Sequence, residues 1–312
     1  MAQMVLTGGI DVSKEWLDAA VWPKKAELHV TRDRAGYAEL AAWLRQHGVT
    51  RIGLEASGGY EIEVMDALED MGFEVVRLNA QRVRMLARAK GRLGKNDRAD
   101  AHTIAQAAAI LVEQEPSQRR RDLDPLVEHL TYRKRLQDWM TDCVNQLEHL
   151  RDKALRARVT VRKASLTKEL AQLDKRIADL VEKHEDWRAL AKRLRTVPGV
   201  GPVLAHTLIA LLPELGNLSR RAIAALVGLA PYDEDSGKHS GERHIKGGRA
   251  AIRQVLYMAA VSAMQHNPVI TVFAQRLAGK KAKVIIVACM RKLLVTLNAM
   301  LRDGTDWQKR AA

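Results

Sequence analysis

Three strand-like runs follow one another before any helix appears, and this order restricts the possible folds more than any other feature of the chain. Val5 to Val12, Trp16 to Trp22 and Glu27 to Thr31 are dominated by apolar and β-branched residues, with Lys24-Lys25 at a turn. They predict an antiparallel meander. Gly36 to Gln46 then carries Tyr37, Leu40, Ala41 and Leu44 at helical spacing and stops at Gly48, a residue suited to a left-handed helix end. A strand over 51–56, a helix over 60–71 stopped at Gly72 and a strand over 73–78 complete the order βββαβαβ, with more helix beyond. The expected fold class is an α/β N-terminal domain on a mixed five-stranded sheet, in which strands one and four are neighbours.

At 312 residues the chain is too long for one ordinary core. From about Asp122 to His184 glycine is absent and proline occurs only at Pro125. Leu136, Met140, Val144, Leu147 and Leu150, then Leu166, Leu170, Leu173, Ile177 and Leu180, recur at three to four residues, which predicts a long antiparallel helical pair that also serves as an oligomer contact. Past residue 190 glycine returns, and Pro198-Gly199-Val200-Gly201 has the look of a helix-hairpin-helix turn whose amides can approach a phosphate. The expected division is 1–121, a helical connector over 122–188, and a mainly α domain over 189–312.

Composition is that of a soluble globular protein, with 47% hydrophobic and 28% charged residues. No apolar run is read as reaching the roughly 20 residues that span a bilayer, and the opening MAQMVLTGGIDVS does not read as a secretion signal, so a cytoplasmic location is expected. Cys143 and Cys289 stand far apart and are expected to be buried free thiols. The net charge of +14 is unevenly spread: the first 80 residues sum to −5, residues 81–120 to +5 and the remainder to +14. A polyanion is the natural partner of such a chain. Residues 82–98, RVRMLARAKGRLGKNDR, hold seven of the basic residues, among them Arg82, Arg84, Arg88, Lys90, Arg92 and Lys95, and read as a basic helix running into a phosphate-facing loop.

Four acids carry the candidate chemistry. Asp11 lies inside the first strand, where an uncompensated charge is costly, and Glu55 ends the fourth strand beside it. Asp97 and Asp100 are three apart and share one face of a predicted helix. Converging carboxylates are what a magnesium-dependent, two-metal nuclease site needs. Near the other end, LVGLAPYDEDSGKHSGERHIKGGRAAIRQVLY combines Ser236-Gly237 with a glycine-rich basic run holding Lys238, Lys246, Arg249 and Arg253. A serine attacking a phosphodiester wants such a mobile mount and such cations. From the residues alone Ser236 and Ser240 are equal candidates.

Taken in order, GIDVSK, LEASGGYE, KNDRADA, TVPGVGPVLA, LVGLAP with its serine five residues after the proline, and GKKAKVIIVACMRKLL resemble the insertion-sequence 110 class of DEDD transposases, with detail similar to its insertion-sequence 1111 subgroup. The resemblance implies a ribonuclease H-like domain of the Holliday-junction-resolvase type, a coiled-coil connector and a C-terminal transposase domain. It implies Asp11, Glu55, Asp97 and Asp100 as the D-E-D-D ligands of Mg2+, with Mn2+ as a substitute. Ser236 becomes the nucleophile of a covalent phosphoserine intermediate. It further implies DNA as substrate, a structured noncoding RNA as guide, and a tetramer built as a dimer of dimers. Three other readings compete: a Holliday-junction-type hydrolytic endonuclease on the same acids, a sugar-kinase-like phosphate loop at GIDVSK, and a DNA-binding protein without catalysis. The kinase reading lacks a second phosphate strand and an adenosine motif.

Overall fold

The computed structural model describes residues 6–91, 97–111, 120–232 and 243–308, and side chains at all of these but 97–99. It divides into two compact units, Met1–Gln118 and Arg119–Ala312. The first is built on one five-stranded sheet of β1 (Thr7–Val12), β2 (Trp16–Trp22), β3 (Ala26–Thr31), β4 (Arg51–Glu55) and β5 (Glu74–Leu78). Their spatial order is β3-β2-β1-β4-β5. The first three strands form the expected antiparallel meander, while β4 joins β1, and β5 joins β4, in parallel. This is the mixed α/β arrangement predicted for a ribonuclease H-like domain.

Period-two alternation along β1 and β4 decides what each face of the sheet meets. Ile10, Val12, Ile52 and Leu54 face a core shared with α1 (Arg34–Gln46) and α2 (Tyr60–Asp70), filled by Leu40, Leu44, Val64 and Leu68. The Asp33 side chain caps α1 by accepting from the Gly36 amide at 2.9 Å, and Gly48 and Gly72, at φ +73° and +90°, stop the two helices where the sequence predicts. The opposite face carries α3 (Ala80–Ala89) and α4 (Asp97–Ile110).

The second unit is helical. Two long helices, α5 (Asp124–His149) and α6 (Lys153–Lys183), double back on each other. The shorter α7 (Glu185–Arg195), α8 (Pro202–Leu211), α9 (Arg220–Val227), α10 (Ala250–His266), α11 (Pro268–Gln275) and α12 (Ala282–Arg302) follow. One continuous apolar cluster runs from Leu126 and Leu136 of α5 through Ile177 of α6 to Leu293 and Leu297 of α12, so the stretch expected as a connector over 122–188 shares the core of the C-terminal helices. Cys143 and Cys289 are both free and buried, as expected. By length and composition alone α12 could cross a membrane, against the expectation that no apolar run is long enough, because few charged side chains interrupt its aliphatic residues. Its Cys289, Met290, Leu293, Leu294 and Leu297 are instead packed in the core, where Asn298 accepts from the Gly216 amide at 2.9 Å.

Candidate functional site

Two glycines opposite one another on adjacent strands organise the first unit's site. Gly9 of β1 and Gly53 of β4 are register partners, and α4 lies directly across them. A Cβ on Gly9 would stand 2.0 Å from the Ala105 amide nitrogen and 2.3 Å from the Ala101 carbonyl oxygen, and one on Gly53 would stand 2.8 Å from the Ala108 Cβ. The absence of side chains on the strands and the small alanines on the helix allow this approach. The Thr7 hydroxyl completes it by donating to the Ala105 carbonyl at 2.7 Å.

Thr7 and Gly9 both meet α4 at Ala105, Gly9 also approaching the Ala101 carbonyl, and Gly53 meets the helix at Ala108. Asp11 follows Gly9 by two residues on the face of β1 that α4 covers, and Asp97 and Asp100 belong to the first turn of that helix. Glu55 follows Gly53 by two residues on β4, as Asp11 follows Gly9 on β1, so both acids face the same side at neighbouring strand ends. Asp11, Glu55 and Asp100 are all half-buried, and the Asp97 side chain lies outside the described residues. Among the described residues no three His, Cys, Asp or Glu side chains are closed around a single point. Asp11, Glu55 and Asp100 each carry carboxylate oxygen, the chemistry that suits a hard divalent cation.

Glu61 was not singled out by sequence reasoning, because an acid in the first turn of a helix reads as a solvated dipole partner. It is instead fully buried. Its Oε2 accepts from the amides of Ser57 at 3.0 Å and Gly59 at 2.8 Å, and its Oε1 pairs with the Arg77 guanidinium at 2.5 Å. Burial alone would raise its pKa, but its own amide, Arg77 and the Gly59 and Ser57 amides together outweigh that and hold it below its ordinary value. The effect is to pin the turn that leaves Glu55, where Gly58 and Gly59 take φ +72° and +108°.

On the predicted basic helix, Arg82, Arg84 and Arg88 of α3 are exposed around the buried Val83. Lys90 lies over the Trp22 ring at 5.0 Å and bonds to Gln106, so its ammonium is already engaged within the unit. Arg92 and Lys95 lie outside the described residues.

In the second unit the turn between α7 and α8, expected as a helix-hairpin-helix, separates its two glycines by role. Gly199, at φ +96°, is pressed against α10, where a Cβ would stand 2.6 Å from the Ala263 Cα. Gly201 is exposed at the start of α8 with open space around it. The buried Asn267 donates to the Pro198 carbonyl at 3.3 Å and caps α11 through the Val269 and Ile270 amides. Ser236, Lys238 and Ser240 lie outside the described residues, but the chain on either side of them is tied together: β6 (Pro231–Tyr232) pairs antiparallel with β7 (His244–Ile245). Below this ribbon Gly228, at φ +78°, packs directly on Gly247 and Gly248. Arg253 donates to the Val227 carbonyl at 2.8 Å and to the Gly247 carbonyl. Arg249 makes a bidentate pair with Glu214, 2.7 Å on both arms, and donates to the Leu211 carbonyl. Both guanidiniums thus brace the ribbon from within, while Lys246 is exposed beside it.

Comparison with known families bears on both units. A family model described as Transposase, of the DEDD IS110 type, matches residues 8–155, and one described as Transposase IS116/IS110/IS902 family matches residues 191–275. The chain belongs to the IS110 family of transposases. Similar relatives of this transposase include the pilin gene-inverting protein of Moraxella bovis, 25% identical over 97% of each chain. The IS110 43.6 kDa protein of Streptomyces coelicolor is 30% identical over 44% of the transposase and 34% of its own length. Among solved structures, Thermus thermophilus RuvC is similar at a TM-score of 0.27 and 16% identity, over 35% of the transposase and 96% of RuvC.

Proposed function

We propose that this transposase cuts and rejoins the DNA strands of an insertion sequence with Asp11, Glu55, Asp97 and Asp100 as ligands of Mg2+, replaceable by Mn2+, and Ser236 as nucleophile. The observation that supports the reading is the close crossing of α4 at Gly9 and Gly53, on the same sheet face and two residues before Asp11 and Glu55 at the neighbouring strand ends. Bound there, the cation would supply charge to the scissile phosphate oxygens. The Ser236 Oγ attacks phosphorus, its proton is lost to a base, the bond to the 3′ oxygen breaks, and that oxygen leaves as a hydroxyl. Attack of a 3′ hydroxyl on the phosphoserine then releases the serine and reseals a strand, so bonds balance with no outside energy source. The pairing of β6 with β7 brings Tyr232 and His244, which flank the serine segment in sequence, onto one ribbon, and this supports the reading. The pilin gene-inverting relative supports recombination rather than degradation as the outcome.

A structured noncoding RNA that pairs with donor and target DNA, and a tetramer in which protomers share sites, belong to the same proposal. The exposed Arg82, Arg84, Arg88 and Lys246 and the open amide end at Gly201 are the surfaces offered to nucleic acid backbone, with Arg92, Lys95 and Lys238 continuing them in sequence. Gly199, Lys90, Arg249 and Arg253 serve this reading by holding those surfaces in place.

Excision and insertion between plasmids, with the element's RNA co-expressed, test the reading. Asp11→Ala and Ser236→Ala should each abolish recombination, Ser236→Ala should also remove the covalent protein–DNA band, and Ser240→Ala should leave both. Strand cutting that survives Ser236→Ala would make the protein a hydrolytic endonuclease on the same four acids.

A further inference from the structure

The first unit exposes only two aromatic rings among its described residues, and both lie at the sheet end that carries Asp11 and Glu55. Tyr37 and Phe73 are buried and Trp22 and Trp43 half-buried, whereas Trp16 and Tyr60 are each 43% exposed. Tyr60 begins α2, directly after the turn leaving Glu55, with the Arg32 guanidinium 5.1 Å from its ring. Trp16 begins β2, at the tip of the hairpin whose other strand ends in Asp11-Val12.

Trp16 is held flat. Its indole stacks on the His29 imidazole at 4.8 Å between centroids and 18° between planes. His29 Nδ1 in turn lies 2.9 Å from Asp18 Oδ1, and the His29 side chain keeps 47% exposure. Asp11, Asp18 and His29 are successive partners across β1, β2 and β3, so the three side chains emerge on one face in one row. Trp16 precedes Asp18 by two residues and shares that face. The hairpin tip is closed by hydrogen bonds: the Ser13 amide donates to the Trp16 carbonyl at 3.0 Å, and the Ser13 hydroxyl lies 2.9 Å from that carbonyl and 3.1 Å from the Trp16 amide. A cavity lined by Asp18, Glu27 and His29 opens beside the stack.

We propose that the Trp16–His29 stack is a platform that receives an unpaired base of the DNA strand being processed at the neighbouring acids. The inference rests on the carboxylate reading of Asp11 and Glu55 for the place of cutting, and on the stack's own geometry for what binds. A pre-stacked, rigid, exposed ring offers a π face to any base without reading its sequence, which is how non-specific single-strand contacts work. The neighbouring Asp18 and Glu27 each give one oxygen to a histidine, His29 and His102, both at 2.9 Å; their second oxygens repel phosphate and suit exocyclic amino groups, which favours the base side of the strand over its backbone. His29 and Asp18 are positioning residues that keep the indole flat.

Binding of the full chain to a fluorescent single-stranded DNA oligonucleotide, to its duplex and to the matching single-stranded RNA tests this without any strand being cut. Trp16→Ala should weaken single-stranded DNA binding about tenfold, the scale of one lost base–aromatic stack, and leave duplex binding unchanged. Trp16→Phe should restore most of the affinity, while Trp16→Leu, apolar like phenylalanine but with no flat face, should behave like alanine. Equal affinities for Phe and Leu variants, an equal loss on duplex, or no loss on single strands would overturn the platform, and a loss confined to RNA would overturn its assignment to DNA. An unchanged melting temperature of the Phe and Leu variants checks that folding is not the cause. If Asp11→Ala left strand cutting intact while the Trp16 contrasts held, the carboxylate reading would fail and the platform would stand.

Discussion

A single methyl group at Gly9 should lift α4 off the sheet. Its Cβ would meet the Ala105 amide nitrogen at 2.0 Å and the Ala101 carbonyl at 2.3 Å, where ordinary contact begins at 3.4 Å. The helix backbone must therefore retreat by about 1.4 Å or the strand must buckle, and overpacking of this kind costs about 1–3 kcal/mol. Because the clash is with backbone, the upper end of that range applies and no trimming of a helix side chain can relieve it. Gly53→Ala differs in kind: its nearest neighbours are the Ala108 Cβ and the Leu78 Cδ1, both at 2.8 Å. Urea unfolding of Gly9→Ala, Gly53→Ala and their doubles with Ala105→Gly and Ala108→Gly, read as double-mutant cycles, separates the two cases. The Gly53–Ala108 cycle should show a favourable coupling of about 1 kcal/mol against the intrinsic cost of glycine in a helix, and the Gly9–Ala105 cycle none. Under conditions where Gly9→Ala remains folded, a first turn of α4 displaced by an ångström should lower strand cutting about a hundredfold. Wild-type stability in Gly9→Ala, or rescue of it by Ala105→Gly, would refute the crossing as the element that positions the acids.

Two further outcomes follow from the buried polar groups. Glu61 has a folded-state pKa below its unfolded value near 4.5, so its stabilisation is present above that pH and is lost as pH falls through the lower folded value. Unfolding free energies between pH 3 and 6 should accordingly fall more steeply with acid in the wild type than in Glu61→Gln. Arg249→Ala should destabilise the second unit by about 3 kcal/mol, because it strands the Glu214 carboxylate, 7% exposed, without its bidentate partner. Thermal melts should show Arg249→Lys recovering only part of that loss, since an ammonium cannot occupy both oxygens in the same plane.

The elements of the first unit were legible because their signals are local. Strand alternation, helical spacing and the stopping glycines each operate over a few residues, and the predicted strands at 16–22 and 27–31 and helices at 36–46 and 60–71 agree with the structure to within two residues. The adjacency of β1 and β4, and with it the common placement of Asp11 and Glu55, followed from topology. The roles of single residues were less legible. Gly199 and Gly201 look alike in PGVG, yet one is a packing contact with α10 and the other an open helix start. Arg249 and Arg253 read as free cations in a basic run, and are bonded to partners 35 and 26 positions away.

What the amino-acid sequence determined by itself was the order of elements, the excess of basic charge beyond residue 80 and the four acids at strand and helix ends. These depend on periodicity and residue type, which neighbouring positions carry. Only the tertiary structure decided which glycines receive a helix, that Glu61 is a buried brace, and that Trp16 stands on His29 in the row of Asp11. Each of those depends on which distant backbone comes within a few ångströms, and close approach of that kind arises from packing and chain crossing, which leave no periodic trace along the chain.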